Sequence, residues 1–154
     1  MKIIILALLI GIVAGLRSMM APAVLAWAAY LGWLPLQTTW AAFMAHSIMP
    51  FIFTGLAIVE LIMDKLPTTP SRKSPPSFAA RIISGAFSGS VLGAAVGTTL
   101  IGLVAGAIGS VLGTLGGYEF RTRLAKATGH DVPNALLEDG IALAGAFLIV
   151  RFVL

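Results

Sequence analysis

The feature that most constrains this chain is the length of its first apolar stretch. Between residues 3 and 34 a single charged residue, Arg17, interrupts the apolar sequence. As one straight helix this stretch would be about 48 Å long, whereas the hydrocarbon core of a bilayer is about 30 Å thick. Gly15, the polar pair Arg17-Ser18 and Pro22 favour a break. We therefore expect a first segment that is broken, kinked or re-entrant.

The rest of the chain is similarly apolar, so lipid is its expected solvent. Hydrophobic residues make up 58% of the 154 residues and charged residues 10%, and the mean hydropathy is +1.00. Soluble domains carry about 25% charged residues, so a soluble fold of this composition could not cover its surface with polar groups. We predict an all-α integral membrane helical bundle that forms a single transmembrane domain over residues 1–154.

Proline, glycine and charged residues divide this domain into about five transmembrane helices. The segments lie at about residues 3–34, 40–63, 78–96, 100–118 and 133–154. Pro50 should kink the second helix, and Asp131 is a candidate N-cap for the last. If the first segment is split, three segments precede the Pro-rich loop at residues 66–77 and three follow it. That count would fit an inverted repeat.

Lysine and arginine concentrate in two connections, residues 66–81 and 119–131. Basic loops stay in the cytoplasm, so five crossings place the N-terminus in the cytoplasm and the C-terminus in the periplasm of a bacterial inner membrane. The start of the chain resembles a signal peptide, but its apolar character resumes after Ser18, and we expect it to be retained.

The same assignment explains the net charge and limits the expected partners. The formal charge of +4 orients helices in this interpretation, so we expect no nucleic-acid partner. The chain has no cysteine and two histidines, which excludes disulfides and thiolate sites and leaves too few histidines for a metal site. We expect no cofactor and no metal; the expected partners are membrane lipids and a small molecule or ion that the sequence does not identify.

Glycines recur along the third and fourth segments. They are Gly85, Gly89, Gly93 and Gly97 on the third, and Gly102, Gly106, Gly109 and Gly113 on the fourth. Small residues let membrane helices approach closely. We predict that these helices pack against each other through their glycine stripes; a homo-oligomer seam and a glycine-lined path are the alternatives.

Charged residues near the predicted cytoplasmic boundary form the candidate polar site. They are Arg17, Glu60, Asp64, Lys65, Arg81, Glu138 and Asp139. Arg17 lies inside an apolar segment, where a charge is costly and usually paired. We expect the break to bring it to Glu60 or Asp64, which lie near a helix C-terminus and need a cationic partner. A purely structural pair, a ligand or ion site, and snorkelling to an interface are the alternatives for Arg17.

The second acidic pair differs in its helical context. Glu138 and Asp139 lie near a predicted helix N-terminus, where the macrodipole favours negative charge. Capping electrostatics alone can explain this pair.

Several stretches resemble one family of bacterial membrane proteins. They read GLRSMMAPAVLAWAAYLGW at 15–33, ELIMDKLPTTPSR at 60–72, RIISGA at 81–86, GGYE at 116–119 and LED at 137–139. Together they look like the proteins grouped as domain of unknown function 4126, and the Asp-Lys-hydrophobic-Pro run at 64–67 is the most specific part. The resemblance implies a small multi-pass membrane protein and supplies no activity.

These features favour transport of a small solute, ion or lipid across the inner membrane. The basis is a broken helix with a buried arginine opposite carboxylates, beside glycine-lined helices. No Walker A, HExxH or GxSxG motif is present, so no catalytic residue is predicted. One alternative is a membrane enzyme acting on a phosphorylated lipid head group at the cytoplasmic face, its acidic pairs binding Mg²⁺. Another is a structural or assembly subunit.

Overall fold

The computed structural model describes residues 1–63, 75–129 and 132–153, and these residues form an all-α fold without strands. This confirms that the fold is all-α, as predicted. The α-helices are α1 (Lys2–Leu16), α2 (Met20–Tyr30), α3 (Met49–Met63), α4 (Pro75–Ala94), α5 (Thr99–Thr128) and α6 (Val132–Val153), and a 3₁₀ helix spans Trp40–Ala45.

The first apolar segment is broken at residues 17–19, within the interval that the sequence indicates. The backbone of Arg17 is extended, with φ −142° and ψ 107°, and α2 then runs back alongside α3. Trp27 Nε1 donates to Thr54 Oγ1 at 2.8 Å, while Ser18 at the start of α2 contacts Glu60 near the end of α3. The segment is therefore a helical hairpin rather than one kinked helix.

Successive helices alternate in direction, which gives the bundle two distinct ends. Arg17 meets Asp139 of α6 at the end that we call the polar end. At the opposite end Met1 and Lys2 line a pocket with Val96 and Thr98. α1–α3 and α4–α6 thus run in opposite senses, as an inverted repeat requires, but α5 packs extensively on α4 whereas its counterpart α2 barely touches α1.

The start of α1 and the end of α6 both lie at the end opposite the polar end. α6 leaves Asp139 at the polar end and reaches Trp33, which follows α2; the Arg151 guanidinium lies 5.2 Å from the centroid of that ring. The expected placement of the termini on opposite faces is incompatible with this arrangement. Because the first segment forms a hairpin, the described residues contain six α-helices instead of the five segments expected. An even number of antiparallel helices returns the chain to the end where it began.

Two predicted segment boundaries need correction. The second helix begins at Met49 rather than residue 40, so Pro50 lies in its first turn, where no N–H is required, and does not kink it. The fourth helix continues to Thr128, and most of the predicted polar loop at 119–131 is helical. Its charged residues pair along the helix: Arg123 Nη2 lies 3.1 Å from Glu119 Oε1.

One helix among the described residues is long and apolar enough to span a bilayer. It is the Thr99–Leu124 part of α5, 26 residues with mean hydropathy 1.8. α1, α2 and α3 are apolar but shorter; the 15 residues of α3 extend over about 22 Å. Helix length therefore identifies one candidate span in the described part of the chain.

Glycines bring α5 into backbone contact with α4. A Cβ atom added at Gly106 would lie 2.9 Å from the Cα of Gly89, and one at Gly102 would lie 3.0 Å from the Cα of Gly93. Gly85 also faces Gly106, whose carbonyl oxygen would lie 2.7 Å from an added Cβ. These separations are shorter than any side chain tolerates, so the α4–α5 contact requires glycine at these positions.

Two other parts of the glycine stripes have different neighbours from those predicted. Gly109 and Gly113 face α1 rather than α4; an added Cβ would lie 3.0 Å from the nitrogen and 2.8 Å from the Cα of Ile12, respectively. The hairpin places α1 beside α5, which the sequence pattern did not anticipate. Gly97 is not in a helix: it has φ +77° and open space around it, which is the conformation of a glycine that ends a helix.

Candidate functional site

The break between α1 and α2 leaves the last backbone carbonyls of α1 without hydrogen-bond partners in their own helix. Arg81 Nη1 donates to the carbonyl oxygens of Gly15 at 2.7 Å and Leu16 at 2.9 Å. Thr114 Oγ1 on α5 also donates to Gly15, at 3.3 Å. Helix C-termini carry partial negative charge, so the Arg81 guanidinium both satisfies these acceptors and neutralises the end of α1.

The complementary group at the start of α2 is the carboxylate of Glu60. Glu60 Oε1 accepts from the backbone nitrogen and the hydroxyl of Ser18, both at 2.8 Å, and Oε2 accepts from Met19 N at 2.9 Å. Oε1 also lies 3.9 Å from Arg81 Nη2. Glu60 therefore does need positive partners, as the sequence argument required, but they are the N-terminus of α2 and Arg81 rather than Arg17.

Arg17 is completely buried, and its partner is a different carboxylate from the one expected. Arg17 Nε donates to Asp139 Oδ1 on α6, forming a buried ion pair. Glu60 is occupied by the amides of Ser18 and Met19, and the extended backbone at the break turns the arginine toward α6. The expectation of a carboxylate partner for Arg17 agrees with this geometry, while the choice of Glu60 or Asp64 does not. Asp64 and its neighbour Lys65 lie outside the described residues.

Glu138, beside Asp139, is also an ion-pair partner. Glu138 is 3% exposed, and its Oε2 lies 4.0 Å from Arg121 Nη1. Both acids lie about two turns into α6, beyond the first turn in which the dipole acts. Capping electrostatics therefore do not account for them; Glu138 instead approaches Arg121, and Asp139 pairs with Arg17.

Two polar residues that the sequence analysis did not single out complete this region. Ser84 donates its hydroxyl to the Ser18 carbonyl oxygen, and Thr114 contacts the end of α1. A serine or threonine in an apolar helix carries little signal of its own. Arg121, in contrast, belongs to the basic stretch at 119–131, and it approaches Glu138.

An open groove lies beside the break, between α3 and α4. It has a volume of about 250 Å³ and is lined by Ser18, Leu56, Val59, Glu60, Met63, Ser77, Ala80 and Arg81. We call it the α3–α4 groove. Its apolar walls open to the outside, since Leu56 and Val59 are about half exposed. Of the two charged residues that line it within the described part of the chain, Glu60 is the more accessible, with 13% of its side chain exposed against 4% for Arg81.

The acidic residues of the described chain do not converge. No group of three or more histidine, aspartate or glutamate side chains in the described ranges is placed to share a metal ion. Glu60, Glu138 and Asp139 instead each approach an arginine.

No family model, curated protein or solved structure matches this chain. The resemblance to domain of unknown function 4126 therefore stays a hypothesis that depends on the sequence stretches quoted above.

Proposed function

We propose that this chain is a bacterial inner-membrane protein with six membrane-embedded helices, of the family that it resembles. Large apolar side chains are exposed on several helices, which in a soluble protein would be an unusually extensive apolar surface. Examples are Ile58 at 51%, Ile83 at 69%, Leu100 at 76% and Leu148 at 56%. Lipid is the solvent that makes such exposure favourable.

In this proposal the polar end faces the cytoplasm and both termini face the periplasm. Arg121, Arg123 and Lys126 lie toward the end of α5, and the residues joining α3 to α4 include further lysine and arginine in the sequence. The positive-inside rule supports this orientation. It replaces the orientation expected for five crossings.

We further propose that the protein binds a membrane lipid in the α3–α4 groove and moves it between leaflets. The observation that carries this proposal is the combination of a polar floor, at Ser18 and Glu60, with apolar walls that open outward. A small solute or ion would require an enclosed polar path through the bundle. Arg17, the charged residue inside the bundle, is fully buried and therefore does not line an open path. The groove therefore favours lipid among the transported classes.

The depth of the groove suits a lipid. Glu60 lies one turn before α3 ends at Met63, and Ser77 lies in the first turn of α4. The polar floor is thus at the polar end of the bundle, at the level of lipid head groups. Leu56 and Ala80, one turn further from that end, would contact the acyl chain.

The packing of α3 supplies a means of opening the groove. α3 packs mainly against α2, with a smaller contact to the 3₁₀ helix, and it faces α4 across the groove. Near the C-terminal end of α3, Glu60 accepts a hydrogen bond from Ser18 at the break. Nearer the N-terminal end of α3, the ring centroids of Phe53 and of Phe87 on α4 lie 6.3 Å apart. An outward displacement of α3 would extend the groove along the bundle, so that a head group could pass while its chain stays in lipid.

A vesicle assay tests the proposed activity. Purified protein is reconstituted into liposomes containing a fluorescent lipid, and movement to the outer leaflet is measured with an impermeant quencher. Ala80→Trp fills an exposed wall of the groove and should abolish movement. Leu148→Trp adds the same ring on α6, at a site that is 56% exposed, and should leave movement unchanged. Protein-independent movement, or equal rates in the two variants, would contradict the proposal.

A further inference from the structure

We infer that the α3–α4 groove selects lipids whose head group carries a primary ammonium, as in an ethanolamine phospholipid. This inference rests on the proposed lipid-binding function and names its substrate class. It follows from which charged group the groove presents and from how many hydrogen bonds that group already makes.

The carboxylate of Glu60 has acceptor capacity left. Its Oε1 accepts two hydrogen bonds from Ser18, and its Oε2 accepts one from Met19 N at 2.9 Å. A carboxylate offers about four lone-pair sites, so Oε2 can accept another donor. Because 13% of the Glu60 side chain is exposed and the residue lines the groove, a ligand in the groove can reach this oxygen.

The positive charge of Arg81, which also lines the groove, is engaged by groups of the protein itself. Arg81 is 4% exposed, and its Nη1 donates to both Gly15 O and Leu16 O. Its guanidinium thus compensates the end of α1 and balances Glu60, rather than forming an open anion site. Apart from Arg81, the polar side chains that line the groove among the described residues are those of Glu60, Ser18 and Ser77, and all three can accept hydrogen bonds.

These acceptors distinguish the common phospholipid head groups by chemistry. A primary ammonium has three N–H donors, and can donate to Glu60 while its positive charge compensates the carboxylate. A quaternary ammonium has the charge but no donor, and a glycerol phosphate has a net negative charge that Glu60 repels. A hydrogen bond to a charged group contributes about 1.5–3 kcal/mol, which corresponds to roughly tenfold or greater selectivity.

Native mass spectrometry of the purified full-length protein tests this inference. Phosphatidylethanolamine, phosphatidylcholine and phosphatidylglycerol with identical acyl chains compete for the protein at equal concentrations. We expect phosphatidylethanolamine to bind about tenfold more tightly than phosphatidylcholine, and phosphatidylglycerol to bind no better than phosphatidylcholine. In Glu60→Gln this preference should fall to about equal binding.

A second variant covers the case in which Glu60→Gln does not fold, since Glu60 also caps α2. Ser77→Lys places a competing ammonium in the groove without removing any Glu60 hydrogen bond, and should abolish the ethanolamine preference; Ser77→Gln is its uncharged control and should retain it.

The outcomes separate the inference from the proposed function. Equal binding of all three lipids by the wild type overturns the inference but leaves lipid binding intact, whereas binding of none contradicts both. A preference that persists in folded Glu60→Gln or in Ser77→Lys also overturns the inference.

Discussion

Replacing Gly106 with alanine is the most direct test of the packing that holds the bundle together. A Cβ atom there would lie 2.9 Å from the Cα of Gly89 and 3.1 Å from the carbonyl carbon of Gly85. Carbon atoms pack best about 3.5–4.0 Å apart, so α4 and α5 would separate by roughly 0.5–1 Å. A gap of that size forfeits about a quarter to a half of the dispersion energy of each contact. Overpacking of this kind costs about 1–3 kcal/mol.

Gly116 provides a matched control on the same helix. Nothing lies within 4 Å of a Cβ atom added at Gly116, so alanine there changes little except helix propensity, a gain of about 1 kcal/mol. The same gain applies at Gly106. The difference between the two variants therefore isolates the steric effect, and Gly106→Ala should unfold with about 1–3 kcal/mol less free energy than Gly116→Ala.

Reversible unfolding by sodium dodecyl sulfate in mixed micelles measures this difference. Both variants and the wild type are titrated together, and helicity reports the folded fraction. A Gly106→Ala protein at least as stable as Gly116→Ala would show that α4 and α5 are further apart than the structure places them, and the reasoning about close backbone contact would be refuted.

Three further predictions concern the charged residues and the orientation. Arg17→Gln or Asp139→Asn alone should lower the free energy of unfolding by about 3–5 kcal/mol, because each removes one partner of a buried ion pair; the double variant should lose less than the sum in a double-mutant cycle, and additivity would argue against the pair. Arg81→Lys should lower the melting temperature, because the guanidinium contacts the α1 carbonyls through Nη1 while its Nη2 lies near Glu60, and a single ammonium cannot hold both positions; an unchanged melting temperature would show that charge alone suffices. In this chain without cysteine, Val96→Cys, at a site that is 49% exposed, should react with an impermeant reagent applied to intact cells while Arg123→Cys should not, and the reverse pattern would invert the proposed orientation.

Local features of the sequence determined the fold class and the position of the break. A segment with one charge between residues 3 and 34 cannot form a single straight membrane helix, and Gly15 and Pro22 mark where it is weakest. The glycine spacing likewise indicated close helix contact. These inferences depend on the conformational preferences of a few neighbouring residues and on helical periodicity, so they need no knowledge of distant parts of the chain.

Local pattern misjudged two boundaries for the same reason. Pro50 inside an apolar run reads as a kink, although a proline also suits a first turn, and only the 3₁₀ helix before it shows that α3 begins there. The charged residues after Tyr118 read as a loop, although Glu119 and Arg123 can pair along a continuing helix. In both cases the residue types are compatible with two conformations, and packing of the adjoining segments selects one.

The tertiary structure alone decided the direction of the chain and the charge partners. After a break, the chain can either continue in the same direction or reverse. Reversal turns one expected segment into two antiparallel helices, so the number of helices rises from five to six and the end of the last helix moves to the other end of the bundle. It also turns Arg17 toward Asp139, 122 positions away, and leaves Glu60 to the backbone amides of Ser18 and Met19. The sequence shows that buried charges need partners; which helices lie side by side, and hence which partner is within reach, depends on packing summed over the whole bundle.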